Sequence, residues 1–374
     1  MTNDDFDLSG EPPAPYKTNI ERMKKGGLTA EFFSLYVKPW YVEHGGSARR
    51  TLDMIDSVYR AVERHPRDLM IATSVADIRR AKRTGKIAAL MGIEGGHAIE
   101  DSLPTLREFY RLGVRYMTLT WNNTNNWADA NRPPKKHNGL SDFGKEVVRE
   151  MNRLGMLVDL SHVSPQTMKD ALAVTQAPVI FSHSGARGLI DHPRDVPDDV
   201  LALVANNHGV VMVNFFPGYV SQERARWDAE LASEKAREAS PPFTGLFIGQ
   251  PDRAAAAMAQ WLAAHPKPLV TLGMVADHIE YVARVAGKDC VGLGSDFDGI
   301  PDTPAGLDGV DKYPALLSEL ARRGWSHDDL VKVTGGNLIR VMRETESVAR
   351  RLKTTAPSNA TLDIDRKMDR KSAQ

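Results

Sequence analysis

The stretch KIAALMGIEGGHAIEDSLPTLREFYRLGVRYMTLT, residues 86–120, contains the pattern that decides the fold. An apolar run at 86–93 is followed, after the turn-forming residues SLPT, by helical spacing at 103–112 and then by a second apolar run at 115–120. Two short apolar runs that flank a charged helical segment are typical of a β-α-β unit with parallel strands. We therefore predict an α/β protein with a parallel sheet covered by helices.

The same unit recurs along the chain. Together with 86–93 and 115–120, the predicted strands are 30–37, 156–160, 178–182, 209–215 and 290–293, and helices are predicted at 144–154 and 165–175. An open sheet that binds a dinucleotide should show G-x-G-x-x-G directly after a strand, but GLGSDFDG at 292–299 lacks the third glycine. A closed (β/α)8 barrel needs eight strands, and with seven visible one strand is unaccounted for.

The charge balance and the cysteine content limit the partners and the type of metal site. The 48 basic residues balance the 48 acidic ones, which argues against a nucleic acid or an anionic membrane surface as partner. Cys290 is the only cysteine, so neither an intramolecular disulfide nor a cysteine-rich zinc site can form. Any metal must be held by histidine and carboxylate side chains.

The chain is predicted to form one domain without a membrane span. No apolar stretch approaches the roughly 18 residues that cross a bilayer, and no secretory signal is visible. The sequence as written favours a cytoplasmic protein, or an exported one if an upstream signal peptide has been lost. We expect one barrel over 1–350, an insertion or lid at about 217–288, and a disordered polar tail at 351–374.

Polar residues stand at the carboxyl ends of four predicted strands. They are Glu94 in MGIEGGH, His162 in VDLSHV, His183 in VIFSHS and Asp296 in GLGSDFDG. In a parallel barrel these ends lie on one rim, and imidazole with carboxylate suits a divalent ion, with zinc favoured over manganese or iron. Any one of these residues alone could simply hydrogen-bond a loop, but four together favour a metal site.

Nucleophilic catalysis by serine or cysteine is disfavoured. No G-x-S-x-G elbow occurs, and Cys290 begins an apolar strand. His97, three residues beyond Glu94, is expected to order a loop and not to bind the metal. Trp121 and Trp127 follow a strand, where lining a pocket and packing in a loop are equally good explanations.

Five segments resemble the renal or membrane dipeptidase family, zinc barrels of the metal-dependent amidohydrolase group. They are MGIEGGHAIEDSL, GVRYMTLTWNNTNNWADA, NRLGMLVDLSHVSPQTM, APVIFSHSGARGLIDHPRDVPDDVL and VGLGSDFDGIPDTPAGLDGVDKYPALLSEL. The similarity runs from about residue 19 to 348, with the motifs in family order.

The resemblance implies a binuclear zinc site on an eight-stranded barrel that hydrolyses dipeptides. Glu94 matches the carboxylate bridging the two metals, and His162 and His183 match the histidines that complete the second metal. Asp296 matches the acid/base residue beside the bridging hydroxide, and Arg194 matches the arginine that holds the substrate's terminal carboxylate. Family members are often dimers, so a homodimer is also expected.

Two features depart from the family pattern. The family carries His-x-Asp at the end of the first strand, which supplies the other ligands of the first metal, and none precedes Glu94 here. The family spacing puts this motif upstream of Met1, so we expect a chain truncated at its start, with residues 2–4 (Thr-Asn-Asp) as at best a degenerate remnant. Trp121 replaces a histidine often found after TLT and is expected to affect substrate preference.

These features together predict a zinc-dependent dipeptidase on a (β/α)8 TIM-type barrel whose first strand is missing at the N-terminus. The chain should bind at most one ion tightly, through Glu94, His162 and His183, and its activity is expected to be impaired by the missing ligands. Two alternatives stay open: a related metallo-barrel acting on another amide, ester or lactone, and a degenerate metal-binding paralogue without catalysis.

Overall fold

The strands of this chain pair in parallel within one sheet. The structure is a computed structural model that describes residues 7–239 and 245–362. In chain order the strands are β1 (Ala30–Tyr36), β2 (Leu69–Ile71), β3 (Ile87–Glu94), β4 (Val114–Thr118), β5 (Leu157–Asp159), β6 (Ile180–Phe181), β7 (Val210–Val213) and β8 (Val291–Leu293). All seven predicted strands are present, with small shifts at their ends.

The strand order is β1-β3-β4-β5-β6-β7-β8, and β2 lies off this path, paired only with β3. The sequence prediction missed β2 because its three residues are too few to show a strand period. The barrel wall thus has seven strands in the described part of the chain, and there it is open between β1 and β8. This confirms the predicted α/β class with a parallel barrel-type sheet.

Helices follow most strands and cover the outer face of the sheet. They are α1 (Ile20–Lys25), α2 (Trp40–His44), α3 (Ser47–Arg64), α4 (Val75–Arg83), α5 (Leu103–Arg111), α6 (Asp142–Leu154), α7 (Pro165–Val174), α8 (Asp198–Asn207), α9 (Pro217–Val220), α10 (Gln222–Ala239), α11 (Pro251–Ala264), α12 (Leu272–Ala286), α13 (Tyr313–Arg322), α14 (His327–Val331) and α15 (Asn337–Arg351). None of the described helices combines the length and apolar character that a membrane crossing requires.

Serine caps fix the start of three of these helices. Ser102, Ser141 and Ser164 each accept a hydrogen bond from the backbone N–H three residues later, at 3.1 to 3.2 Å. Such a cap satisfies one of the free N–H groups of the first helical turn and typically stabilises the helix by about 1 kcal/mol. The caps set the length of each loop between a strand end and its helix, and these loops carry the site.

Apolar side chains fill the barrel interior below the rim. Tyr116 of β4 lies across this interior and packs on Phe32 of β1, with ring centroids 5.0 Å apart. A Cβ on Gly92 would come within 2.0 Å of the Tyr116 ring, so a glycine is required there. The Tyr116 ring therefore lies against β3 two residues before Glu94, below the strand ends that carry the site.

The stretch between β7 and β8 contains helices α9 to α12 in its described part. Trp227 of α10 packs near Trp261 of α11 with ring centroids 6.0 Å apart, and its Nε1 donates to the carbonyl of His265 at 2.9 Å. The assignment of 217–288 as an insertion stays a prediction. Its function as a lid stays a prediction.

The C-terminal segment departs from the expected disordered tail over its first part. Helix α15 continues to Arg351, and Ser358 Oγ donates to Glu146 of α6 at 2.9 Å. Arg107 of α5 donates to the Ser358 carbonyl at 3.3 Å. Residues 351–362 therefore contact the outer helices, because side chains on α5 and α6 bind this segment. Residues 363–374 lie outside the described part, where disorder stays a prediction.

Candidate active site

The carboxyl ends of β3, β5 and β6 bring three of the predicted residues together. Glu94 is the last residue of β3, His162 lies three residues beyond β5, and His183 lies two residues beyond β6. Their ligand atoms all lie within 4.8 Å of one another, and they form the single cluster of this kind found in residues 7–239 and 245–362. Neighbouring parallel strands end on the same rim, which is why residues almost ninety positions apart in the sequence meet.

The three side chains converge on one point. Glu94 Oε1 lies 3.1 Å from His162 Nε2 and 3.5 Å from His183 Nε2. The two Nε2 atoms are 2.8 Å apart. Two imidazole nitrogens and a carboxylate oxygen at these distances place three electron-pair donors around the same small volume.

The hydrogen-bond partners of the two Nδ1 atoms, which face away from the cluster, determine which ring nitrogen of each histidine carries the proton. His162 Nδ1 lies 2.9 Å from Asn122 Oδ1, an acceptor, so Nδ1 donates there. His183 Nδ1 lies 2.8 Å from Ser182 Oγ, whose own proton goes to Asp159 Oδ2 at 2.5 Å. Each Nδ1 is therefore the protonated nitrogen of a neutral ring, and each Nε2 presents a lone pair to the cluster. This donor set fits a divalent cation bound by Glu94, His162 and His183.

Burial and charge act differently on the two rings when no cation is bound. Burial, together with the positive charge of Arg194, holds the pKa of His162 well below its usual value. The pKa of His183 is raised despite its burial, because Asp296 and Glu94 lie close to it. A cation bound here needs the Nε2 lone pair of His183, so a cation and a proton at that nitrogen exclude each other.

Asp159 and Ser34 orient the proposed ligands through hydrogen bonds, Asp159 by way of Ser182 and Ser34 directly on Glu94. Sequence reasoning missed both. Asp159, fully buried at the end of β5, accepts from Thr118 Oγ1, Ser182 Oγ and the backbone N–H groups of residues 161 and 182. Ser34 Oγ on β1 donates to Glu94 Oε2 at 2.9 Å. The one available signal was an acidic residue inside the apolar strand segment MLVDL, three positions before His162.

Asp296 lies in the loop after β8, with a left-handed backbone (φ 60°). Asn214 Nδ2 donates to its Oδ2 at 3.4 Å. Burial, reinforced by the charge of Glu94, raises the pKa of Asp296 to about 6 against the opposing effect of His183 and Arg194. A carboxyl group that titrates near neutral pH can both accept and return a proton.

Arg194 is almost fully buried, with 1% of its surface exposed. Its Nη2 donates to the carbonyl of His183 at 3.0 Å and its Nη1 to Ser184 Oγ at 3.4 Å, while Nε is buried without a protein partner. The guanidinium also lies 5.4 Å from the centre of the Tyr219 ring. The sequence pattern did not reveal Tyr219, because its placement depends on the loop after β7.

One cavity of about 610 Å³ joins most of these residues. Five of the six predicted site residues line it, namely Glu94, His162, Asp296, Arg194 and Trp121, and His183 contacts three of them. The cavity continues past Glu31 and Phe33 of β1 to Asp298 after β8, along the open edge of the sheet. Residues 2–4, where a remnant of His-x-Asp was considered, lie outside the described part of the chain.

The remaining predicted residues take different places. The Trp121 ring lies 5.1 Å from Tyr36 and 6.0 Å from His162, so it forms part of the cavity wall, whereas Trp127 is fully buried. His97 Nε2 lies 2.9 Å from the carbonyl of Val37, so it ties the loop after β3 to the end of β1, as predicted. Cys290 is buried as a free thiol at the start of β8.

Comparison with known proteins gives concordant matches. The family model of the membrane dipeptidases, peptidase family M19, matches residues 2–356. The dipeptidase aclJ of Aspergillus oryzae is 40% identical over 349 residues, which covers 91% of this chain and 73% of that protein.

Solved structures match in fold as well. The probable dipeptidase PvdM from Pseudomonas aeruginosa is 26% identical with a TM-score of 0.78, over 91% of both chains. A metallopeptidase from Rhodobacter sphaeroides, solved with a phosphinate mimic of the dipeptide L-Ala-D-Ala, has a TM-score of 0.73 at 21% identity, covering 90% of this chain and 93% of that one. Since the family match extends over nearly the whole described barrel, including the rim with Glu94, His162 and His183, this chain belongs to the membrane dipeptidase family and is an enzyme of the metallo-dipeptidase type.

Proposed function

We propose that this protein hydrolyses the peptide bond of dipeptides with a free C-terminal carboxylate, using zinc held by Glu94, His162 and His183. The observation that carries this proposal is the convergence of two Nε2 lone pairs and the Glu94 carboxylate at 2.8 to 3.5 Å. The names of the related proteins support it, since aclJ is a dipeptidase and the Rhodobacter sphaeroides peptidase binds a dipeptide mimic. Zinc is preferred over manganese and iron on ligand type.

The chemistry that such an ion supplies is a water molecule of lowered pKa together with a polarised carbonyl oxygen. The protein's own groups then handle the protons. Asp296 would accept the proton of the attacking water as the new C–O bond forms, and would then give it to the amide nitrogen, so that the C–N bond breaks and the amine leaves. Its pKa of about 6 suits both halves of this transfer near neutral pH.

Arg194 is the group that would hold the substrate's C-terminal carboxylate. Its guanidinium lines the cavity and no carboxylate of the described protein pairs with it. A guanidinium binds a carboxylate in a fixed, bidentate geometry, which would position the scissile bond at the metal. Trp121 lies on the cavity wall beside His162 and would contact a substrate side chain.

Dipeptide hydrolysis with zinc, cobalt or manganese supplied, measured against a tripeptide, tests the proposal. We expect cleavage of Ala-Ala that a chelator abolishes and the metal restores, and no cleavage of Ala-Ala-Ala. Absence of cleavage of every dipeptide, with tight zinc binding retained, would favour the non-catalytic metal-binding alternative. Faster hydrolysis of a lactone or another amide than of any dipeptide would favour the related amidohydrolase.

Paired substrates test the role of Arg194. Arg194→Ala should raise KM for Ala-Ala, and should lower kcat as well if the clamp positions the scissile bond. Ala-Ala amide lacks the carboxylate, so the variant should cleave it about as well as the parent enzyme does. An equal loss on acid and amide would show that Arg194 only supports the backbone of His183.

A further inference from the structure

The turn that carries Asp296 needs contacts from outside itself to keep its shape. Asp296 has a left-handed backbone (φ 60°), a conformation that costs a non-glycine residue free energy and persists only when its surroundings hold it. Within the turn, the Gly299 N–H donates to the Asp296 carbonyl at 2.9 Å, and a Cβ on Gly299 would come within 2.1 Å of Asp296 Oδ1. The Asp296 side chain therefore lies over residue 299, and its direction depends on the backbone path from 296 to 300.

The Asp296 carboxyl group has little direct support from other side chains. In the described part of the chain it accepts a hydrogen bond only from Asn214 Nδ2, at 3.4 Å, which is beyond the usual length of such a bond. Asp159, by comparison, accepts four hydrogen bonds at 2.5 to 3.1 Å. The orientation of Asp296 must come mainly from whatever fixes the turn.

Lys17, in the segment before α1, binds this turn. Its Nζ donates to the carbonyl of Phe297 at 3.2 Å and to the carbonyl of Ile300 at 2.8 Å, and its backbone N–H donates to Asp298 Oδ1 at 2.6 Å. The third hydrogen of the ammonium group goes to the carbonyl of Pro15 at 2.7 Å. A lysine ammonium has three donors, so all three are used on backbone carbonyls, two of them in the turn.

The segment that carries Lys17 is itself fixed. Asn19, which caps α1, donates through Nδ2 to the carbonyl of Gly10 at 2.8 Å, and the Ile20 N–H donates to the carbonyl of Leu8 at 3.0 Å. Leu8, Asn19 and Ile20 are all buried. Lys17 therefore connects the turn to a well-packed part of the chain at the open edge between β1 and β8.

The segment and the turn border the same part of the substrate cavity. Tyr16 and Thr18, on either side of Lys17, line the cavity together with Asp296 and Ile300. Lys17 does not line it and contacts none of Glu94, His162 and His183. Its hydrogen bonds can therefore affect the position of Asp296 without touching the proposed metal ligands.

We propose that Lys17 is a positioning residue for the reaction, which holds the turn 296–300 so that the Asp296 carboxyl stays directed into the cavity that it shares with Glu94 and His162. The role of Lys17 rests on the proposed function, in which Asp296 transfers the proton. Losing Lys17 should slow this transfer. Zinc binding and the binding of the substrate carboxylate by Arg194 should stay, because the residues for both come from other loops.

The first test replaces the ammonium group and keeps the length of the side chain. Lys17→Met should lower kcat of the zinc-loaded protein for Ala-Ala about 10- to 100-fold, since a small misplacement of a catalytic group has an effect of this size. KM and zinc affinity should change little. Lys17→Arg still offers several N–H donors to the same carbonyls and should keep most of the activity. Lys82→Met, at an exposed lysine on α4, is the matched control and should keep the parent kcat.

A double variant shows whether Lys17 acts through Asp296. If it does, Lys17→Met lowers kcat in the parent protein and has no further effect in Asp296→Asn, because the group that it positions is already lost. A loss by the same factor in both backgrounds would overturn the inference. So would a parent-like kcat in Lys17→Met.

Hydrogen exchange of the turn gives a readout that needs no turnover. The Gly299 amide is protected by its bond to the Asp296 carbonyl, so the peptide 295–301 should exchange about 10-fold faster in Lys17→Met and at the parent rate in Lys82→Met. Unchanged exchange in Lys17→Met would overturn the inference even if kcat fell. If the parent cleaves no dipeptide while exchange of the turn still depends on Lys17, the proposed function fails and the support of the turn by Lys17 stands.

Discussion

The two sides of the barrel rim differ in how many strand pairings and side-chain hydrogen bonds fix their residues. On the side formed by β3, β5 and β6, each of the three proposed metal ligands has a polar hydrogen-bond partner, and each strand pairs with a neighbour on both sides. At the edge between β1 and β8, no described strand joins the two, and the cavity runs along this edge.

This difference shows what a metal site needs from a barrel. A ligand must be oriented as well as present, and polar neighbours orient it: Ser182, which directly precedes His183, and Ser34, on the strand next to Glu94. We call the side formed by β3, β5 and β6 the complete side, and the edge between β1 and β8 the open edge. The open edge offers carboxyl groups, Asp296, Asp298 and the partly buried Glu31, but among the residues that the structure describes no such set of converging donors lies there. We therefore expect one ion on the complete side, with acid/base chemistry coming from Asp296 at the open edge.

The largest expected effect concerns the residue that acts from the open edge. Asp296→Asn keeps the shape of the side chain and removes the base, so kcat for a cleaved dipeptide should fall about 100- to 10,000-fold. Metal content should not change, because the ligands are on the other side of the rim. Asp308→Asn, an exposed acid in the segment after β8, is the control. A kcat that stays within a factor of two would remove Asp296 from the mechanism.

The next effect tests the ligand set on the complete side. The parent protein should retain at most one equivalent of zinc per chain after dialysis, and His183→Ala should weaken this binding by more than about 100-fold, since losing a direct ligand costs more than losing its support. Elemental analysis and titration against a chelator measure both. His44→Ala, an exposed histidine on α2, should bind zinc like the parent. Two tightly held equivalents in the parent would contradict the contrast between the two sides.

A smaller loss of zinc affinity is expected from changing Asp159 or Ser182, which orient the ring of His183. In Asp159→Asn the amide has one acceptor oxygen for four donors, so Ser182 Oγ turns its proton toward His183 Nδ1 and the ring proton moves to Nε2. Zinc affinity should drop about 10- to 100-fold. Because Asp159 is fully buried, Ser182→Ala provides a milder variant that should show part of the same loss. Asp328→Asn is an exposed control, and unchanged affinity in both Asp159→Asn and Ser182→Ala would refute this role.

The smallest effect is on stability at the open edge. Burial, helped by the charge of Asp298, raises the pKa of Glu31 to about 8 from an ordinary 4.5. Between these pH values the folded state keeps a proton that the unfolded state has lost, so this group makes the protein less stable as pH rises. Glu31→Gln should therefore raise Tm by a few degrees at pH 8 and have little effect at pH 4.

Thermal unfolding at the two pH values measures this difference. Glu21→Gln, an exposed acid on α1, should leave Tm nearly unchanged at both. The same Tm change for Glu31→Gln at pH 4 and pH 8 would mean that Glu31 acts through packing and not through its charge. In that case the open edge would not differ electrostatically from the complete side.

Sequence patterns were sufficient where local features control the structure. The seven barrel strands are apolar runs bounded by turns, and Glu94, His162 and His183 follow from the rule that parallel strands end on one rim. Arg194, Trp121 and the role of Asp296 depended on a family resemblance, because nothing in their immediate sequence distinguishes them from ordinary loop residues. Strand β2 has only three residues, too few to show the alternation that predicts a strand.

The sequence by itself determined the α/β class, seven of the eight described strands and the three residues that meet at one rim, because strand periodicity and strand ends are local properties of the chain. Only the tertiary structure decided which nitrogen of each histidine faces the cluster, that Asp159 binds Ser182 next to His183, and that Tyr219 comes to lie near Arg194. These features depend on the loop paths and side-chain directions of segments far apart in sequence. Such arrangements are set by packing and hydrogen bonding across the fold, and no short stretch of residues encodes them.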